Sequence, residues 1–194
     1  FRIIVLDTGT VRPGLEKSTY KVRRQECEEM VAKAQAAGFE ISCLADIREE
    51  SLYEQIKAKF EGEFPHLVSR MTYIYNSQKR FYKIMDAWKA GDIETVGGIF
   101  RQDGIGLRDE YAISGPELES MCDIVRSVTG VLGERMLGGG DKGAAGCLAL
   151  AHAAANVKKV VDTGYPRSRP DYEDKYAIHT CKIVDGIVLF EEAL

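Results

Sequence analysis

Between Leu67 and Ala90, side chains suited to a core return every three or four residues: Met71, Ile74, Tyr75, Gln78, Phe81, Tyr82, Met85 and Trp88. That rhythm predicts a single long helix, roughly 35 Å from end to end at a rise of about 1.5 Å per residue. A helix of that length spans a whole domain, and its stripe needs a partner surface along most of its length. Gly91 is placed to end it, and Asp92 to cap a following helix that carries Ile93, Val96, Gly97 and Phe100 on one side.

Other segments build around this axis. "RIIVLDT" is a short apolar run closed by Thr-Gly and reads as a buried strand. A helix is expected to begin near Ser18 or Thr19, with Cys27, Met30, Val31 and Ala34 on one face and Gly38 at its C-cap. "SLYEQIKAKF" is a shorter helix. "SGPELESMCDIVRSVTG" carries Ser114 and Glu117 in the spacing of a capping box, with Leu118, Met121, Cys122 and Val125 as its buried face. Strands are expected near 2–8, 132–137, 146–151, 176–184 and 187–191, the last two flanking the hairpin dipeptide Asp185-Gly186, and "NVKKVVDTG" is a helix. Long helices with strands clustered late give an α+β fold, in one domain over residues 1–194.

The net charge of −4 gives no electrostatic reason to expect nucleic acid or an anionic membrane, and no apolar run approaches membrane-spanning length. The five cysteines show no CxxC spacing, so neither a disulfide framework nor a zinc site is expected; reduced thiols in a cytoplasmic protein are the simplest reading. His66, His152 and His179 lack metal-ligand spacing. The first residue already lies within a strand-like run, which suggests a fragment whose active site is completed elsewhere.

The chemistry centres on "RMLGGGDKGAAGC", Arg135 to Cys147. Its glycines form either a tight hairpin between two strands or a loop that lets the backbone approach a phosphate. No Gly-Lys-Ser/Thr follows, so it is not a Walker A loop, and it opens a strand rather than a helix, so it is not a dinucleotide fingerprint. Tyr20 is either a core residue or one whose hydroxyl points into a cleft. Arg23 and Arg24 read as a solvated helix face, and "LRDEY" (107–111) as ion pairs at a loop.

The order of "KSTYKVRRQECEE", "AGDIETVGGIF", "LRDEYAISGPELE" and "GVLGERMLGGG" along the chain resembles the C-terminal half of galactokinases, members of the GHMP kinase superfamily. The likeness runs from Phe1 to about Ala151. It implies an antiparallel sheet with helices packed on one face, in the ferredoxin-like manner of that superfamily's C-terminal lobe. It also implies a whole protein that transfers a phosphoryl group from ATP, with Mg2+, to galactose. By the same resemblance, Tyr20 hydrogen-bonds the sugar, and Gly138, Gly139 and Gly140 support the phosphate-binding region. The N-terminal lobe, which holds most of the ATP and Mg2+ contacts and the catalytic residues, lies outside this chain. No catalytic residue and no metal ligand is therefore assigned here, and the chain alone is expected to be inactive. A kinase for another sugar (arabinose or a uronic acid) and a sugar-sensing regulator on the same fold are the alternatives.

The chain departs from the galactokinase pattern in several places. Leu137 stands for a threonine, Asp141-Lys142 for a phenylalanine, Asp103-Gly104 for Ser-His, and Tyr73 for a histidine. Unless paired, Asp141 places a negative charge near a phosphate site, and Lys142 is its obvious neighbour.

Overall fold

The structure, a computed structural model, describes residues 1–11 and 19–184. Strand β1 (Arg2–Asp7) is followed by helices α1 (Thr19–Ala36), α2 (Glu50–Phe60), α3 (Pro65–Ala90), α4 (Ile93–Asp109) and α5 (Pro116–Arg126). Strands β2 (Val131–Met136) and β3 (Ala144–Ala149), helix α6 (Ala154–Ser168) and strand β4 (Ala177–Cys181) complete the order. The strands form one antiparallel sheet in the order β2-β3-β1-β4. This is the ferredoxin-like arrangement: β3 separates β1 from β2, and β4 returns to the free side of β1. The expected Asp185-Gly186 turn and the strand near 187–191 lie outside the described residues, as does Ser18.

Strand alternation decides which face the helices cover. Ile4 and Leu6 of β1, with Ala145, Cys147 and Ala149 of β3, are buried. They pack against Leu118, Met121, Cys122 and Val125 of α5 and Val157, Val161 and Tyr165 of α6. Glu134 of β2 is also buried, and it is held by Arg126 at 2.7 Å and Arg101 at 2.9 Å. Helix α4 lies along β2 so closely that a Cβ on Gly133 would strike the Gly97 carbonyl. A second core joins α1, α2 and the first half of α3 through Met30, Ala34, Tyr53, Ile56, Leu67, Met71 and Tyr75.

The α3 stripe is buried only in part. Met71 and Tyr75 are covered, but Phe81 (58% exposed), Tyr82 (63%), Met85 (40%) and Trp88 (51%) stand in the open. Met85 and Trp88 line a wholly apolar cavity of about 330 Å³ with Ile3, Phe100, Leu137 and Leu148, beside the sheet face that α5 and α6 leave uncovered.

Two local expectations are corrected. Helix α5 has no Ser114–Glu117 capping box. Pro116 takes the first helical turn, which moves the cap to Gly115, and the Ser114 hydroxyl bonds Glu119 instead. Arg23 is not solvated. Its Nε donates to the Ala112 carbonyl at 2.9 Å and its Nη1 to Glu26 at 2.7 Å, whereas Arg24 pairs with Glu28 on the exposed side of the helix.

Candidate functional site

The glycine segment is the connection between β2 and β3, closed by the Leu137 amide donating to the Ala144 carbonyl at 2.9 Å. Gly138 (φ +72°) and Gly140 (φ +85°) take left-handed backbone conformations that β-carbons resist, and Asp141 follows at φ +47°. A Cβ on Gly140 would run into the Ile113 carbonyl, so part of the need for bare backbone arises within the chain itself. Gly139 differs, because a Cβ there would meet only the Tyr20 ring, at 3.8 Å.

The rest of the loop is pinned on three sides. The Asp141 amide donates to Ile113 O at 2.6 Å, and Thr19 Oγ1 donates to Asp141 Oδ2 at 2.5 Å. Lys142 Nζ lies 3.1 Å from Glu117 Oε2. The Gly143 amide donates to Thr10 Oγ1 at 2.8 Å, and its carbonyl accepts from the Thr8 amide at 3.0 Å and the Thr8 hydroxyl. Among the described residues the amides of Gly138, Gly139 and Gly140 make no hydrogen bond; Gly138 is exposed, Gly139 half-buried and Gly140 buried.

The structure thus brings together the residues singled out by sequence. The Tyr20 side chain is 49% exposed and lies beside Gly139. It is no core residue. It also lines a cavity of about 420 Å³, with Cys27, Val31, Leu44, Ile74 and Tyr111. Cys27 Sγ and the Tyr111 hydroxyl are 3.6 Å apart, and burial raises both above their ordinary pKa values, so both are neutral at physiological pH. Thr8, Thr10 and Thr19 are loop-pinning residues that the motif reading missed. Their only sequence signal is a run of small hydroxyl residues, which is common in any loop. His66, His152 and His179 are exposed and apart from the site, and no group of three His, Cys, Asp or Glu among the described residues is arranged to hold a metal ion.

No family model matches the chain. Known proteins do. The chain is 33% identical over 167 residues to the galactokinase of Chloroflexus aurantiacus, covering 84% of the chain and 41% of that protein. It is 27% identical over 164 residues to the galactokinase of Halalkalibacterium halodurans, with the same coverage of 84% and 41%. What the chain resembles is a galactokinase. The backbone agrees: the crystal structure of Lactococcus lactis galactokinase complexed with galactose superposes with a TM-score of 0.80 over 94% of this chain and 45% of that one, at 22% identity. The galactokinase likeness thus extends over nearly all of this chain but under half the length of the proteins it matches. No helix among the described residues is long and apolar enough to cross a membrane.

Proposed function

We propose that this chain is the C-terminal lobe of an ATP-dependent sugar kinase, residues 1–194 forming one domain, and that galactose is the substrate of the whole cytoplasmic protein. The observation that carries the reading is the placement of the half-exposed Tyr20 beside Gly139 of the glycine loop. The sequence likeness to galactokinases supports it.

In this reading the Tyr20 hydroxyl binds a sugar hydroxyl, and Gly138, Gly139 and Gly140 support the phosphate-binding region. ATP with Mg2+, held chiefly by the preceding lobe, supplies the phosphoryl group when bound. Phosphoryl transfer depends on positioning and charge stabilisation more than on covalent chemistry by the protein. A rigid, glycine-built wall is what this lobe contributes. The preceding lobe covers the apolar surface around Met85, Trp88, Ile3 and Leu148.

The test is an ATP-dependent phosphorylation assay of the full-length protein against galactose, arabinose and a uronic acid. Galactose turnover, weakened by Tyr20→Phe chiefly in KM, is expected. Turnover of another sugar alone would reassign the substrate. Sugar binding without turnover would make the protein a regulator. The isolated chain is expected to be inactive, and phosphorylation by it would refute the assignment of the catalytic residues to the other lobe.

A further inference from the structure

We propose that Asp141 is a positioning residue: through Thr19 it ties the first turn of α1 to the glycine loop and so holds the Tyr20 ring against Gly139. This rests on the sugar-binding role proposed for Tyr20.

The tie is direct. Thr19 Oγ1 donates to Asp141 Oδ2 at 2.5 Å, across 122 residues of sequence. A hydroxyl bonded to a carboxylate makes a shorter and stronger link than a neutral pair. Thr19 immediately precedes Tyr20, so fixing it constrains the Tyr20 Cα, which is only about 3.8 Å further along the chain.

The two ends of the tie are unequal. Asp141 sits in a segment with little freedom. Its amide is bonded to Ile113 O at 2.6 Å, and its carbonyl lies where a Cβ on Gly115 would have to be. The Tyr20 ring has no such support: the residue is 49% exposed, and among the described residues no hydrogen bond is formed by its hydroxyl. Helix α1 is anchored one turn on, where Arg23 bonds the Ala112 carbonyl, so the Thr19–Asp141 link fixes the remaining free end of the first turn.

The experiment uses the full-length protein, with galactose and ATP. Thr19→Val removes the hydroxyl at nearly constant shape, and Asp141→Ala removes the acceptor. Each is expected to raise the sugar KM about fivefold with kcat changed by less than about twofold, the scale of one ordinary lost hydrogen bond. Thr19→Ser and Asp141→Asn both keep the bond, and Asn tolerates the left-handed backbone, so both are expected to stay near the parent. The double variant should be no worse than either single one, because both remove the same link. The tyrosine-ring NMR signal that Tyr20→Phe deletes is expected to move in Thr19→Val and in Asp141→Ala, and to stay in place in the two conservative variants.

An unmoved Tyr20 signal in Thr19→Val and Asp141→Ala overturns the inference. So does an unchanged KM in those variants when Tyr20→Phe raises it. If Tyr20→Phe itself leaves KM unchanged, the sugar role of Tyr20 falls, and the inference falls with it as a statement about the sugar site. The ring signal then still tells whether the tie exists.

Discussion

Replacing Gly140 by alanine tests whether the glycine loop is locked to the segment before α5. Gly140 has φ +85°, and a Cβ there would strike both the carbonyl oxygen and the Cγ1 of Ile113. Placing a β-carbon in the left-handed region costs about 1–2 kcal/mol. Relieving the clash moves Ile113 away from Asp141, and losing that backbone bond adds about 1 kcal/mol. The expected loss is therefore about 2–3 kcal/mol. For a domain of this size that corresponds to a fall in Tm of roughly 5–10 °C. Gly139→Ala is the internal control. Gly139 is not left-handed, and its Cβ would touch only the Tyr20 ring at 3.8 Å, an ordinary contact. Its cost should stay within about 0.5 kcal/mol. Urea denaturation of both variants, followed by circular dichroism, gives the comparison. Equal losses in the two would refute the argument that backbone packing on Ile113, and not flexibility in general, demands Gly140.

Three further outcomes are expected. Burial alone would raise the pKa of Glu26, but hydrogen bonds from Arg70 and Arg23 outweigh it and hold the carboxyl below its ordinary 4.5. A depressed folded-state pKa gives stability that is complete above the unfolded value and is lost as pH falls through the folded one, so the stability gap between the parent and Glu26→Gln should narrow as pH drops below about 4.5, and a constant gap would sink the point. Burial, with the charge of Glu134 adding to it, pushes the Cys147 thiol up to about 12, and burial raises Cys122 further still. Ellman's reagent should therefore label exposed Cys43 first and leave Cys122 and Cys147 untouched until unfolding, and rapid labelling of either in the native protein would contradict their placement. Trp88, the chain's single tryptophan, is 51% exposed, so acrylamide should quench it readily in this chain and much less in the full-length protein, where the preceding lobe is proposed to cover it; equal quenching would remove that lobe from this surface.

Much of the fold was legible because periodicity and punctuation agree. The α3 rhythm, Gly91 as its left-handed end and Asp92 bonding the Thr95 amide at 3.0 Å are all local signals that the structure reproduces. Periodicity could not tell which half of the stripe is covered. Met71 and Trp88 look alike in sequence, yet only Met71 meets α1 and α2 across a filled core. The capping box failed because its spacing was right but Pro116 outranked it for the first turn. Arg23 was misread for a different reason. Nothing near it in sequence announces the Ala112 carbonyl, 89 residues away, that it was to bond. The site was legible as residues but not as a junction. Order along the chain picked out Tyr20 and Gly138–Gly140, while Thr8, Thr10 and Thr19 acquire meaning only when β1 and α1 arrive beside the loop.

Tyr73 and Asp103 are separate in sequence but not in space: they face each other inside the molecule, with the Tyr73 hydroxyl 3.4–3.5 Å from the two Asp103 oxygens. A carboxylate at a buried position needs positive partners, because an unpaired charge cannot be kept out of water cheaply. Here Arg80 supplies one at 2.9 Å and Arg135 bonds the other oxygen. Burial, and then the charge of Asp103, raises the Tyr73 pKa, so its hydroxyl keeps its proton as a donor to that carboxylate. The cluster ties α3, α4 and β2 at one point, and Arg135 stands three residues before Gly138 on the strand that leads into the loop. Asp141, beyond the other end of the glycine run, is held in the same manner and takes a hydroxyl hydrogen bond from Thr19. In both places the acid has its donors within reach, so the charge beside the loop is answered inside one neighbourhood.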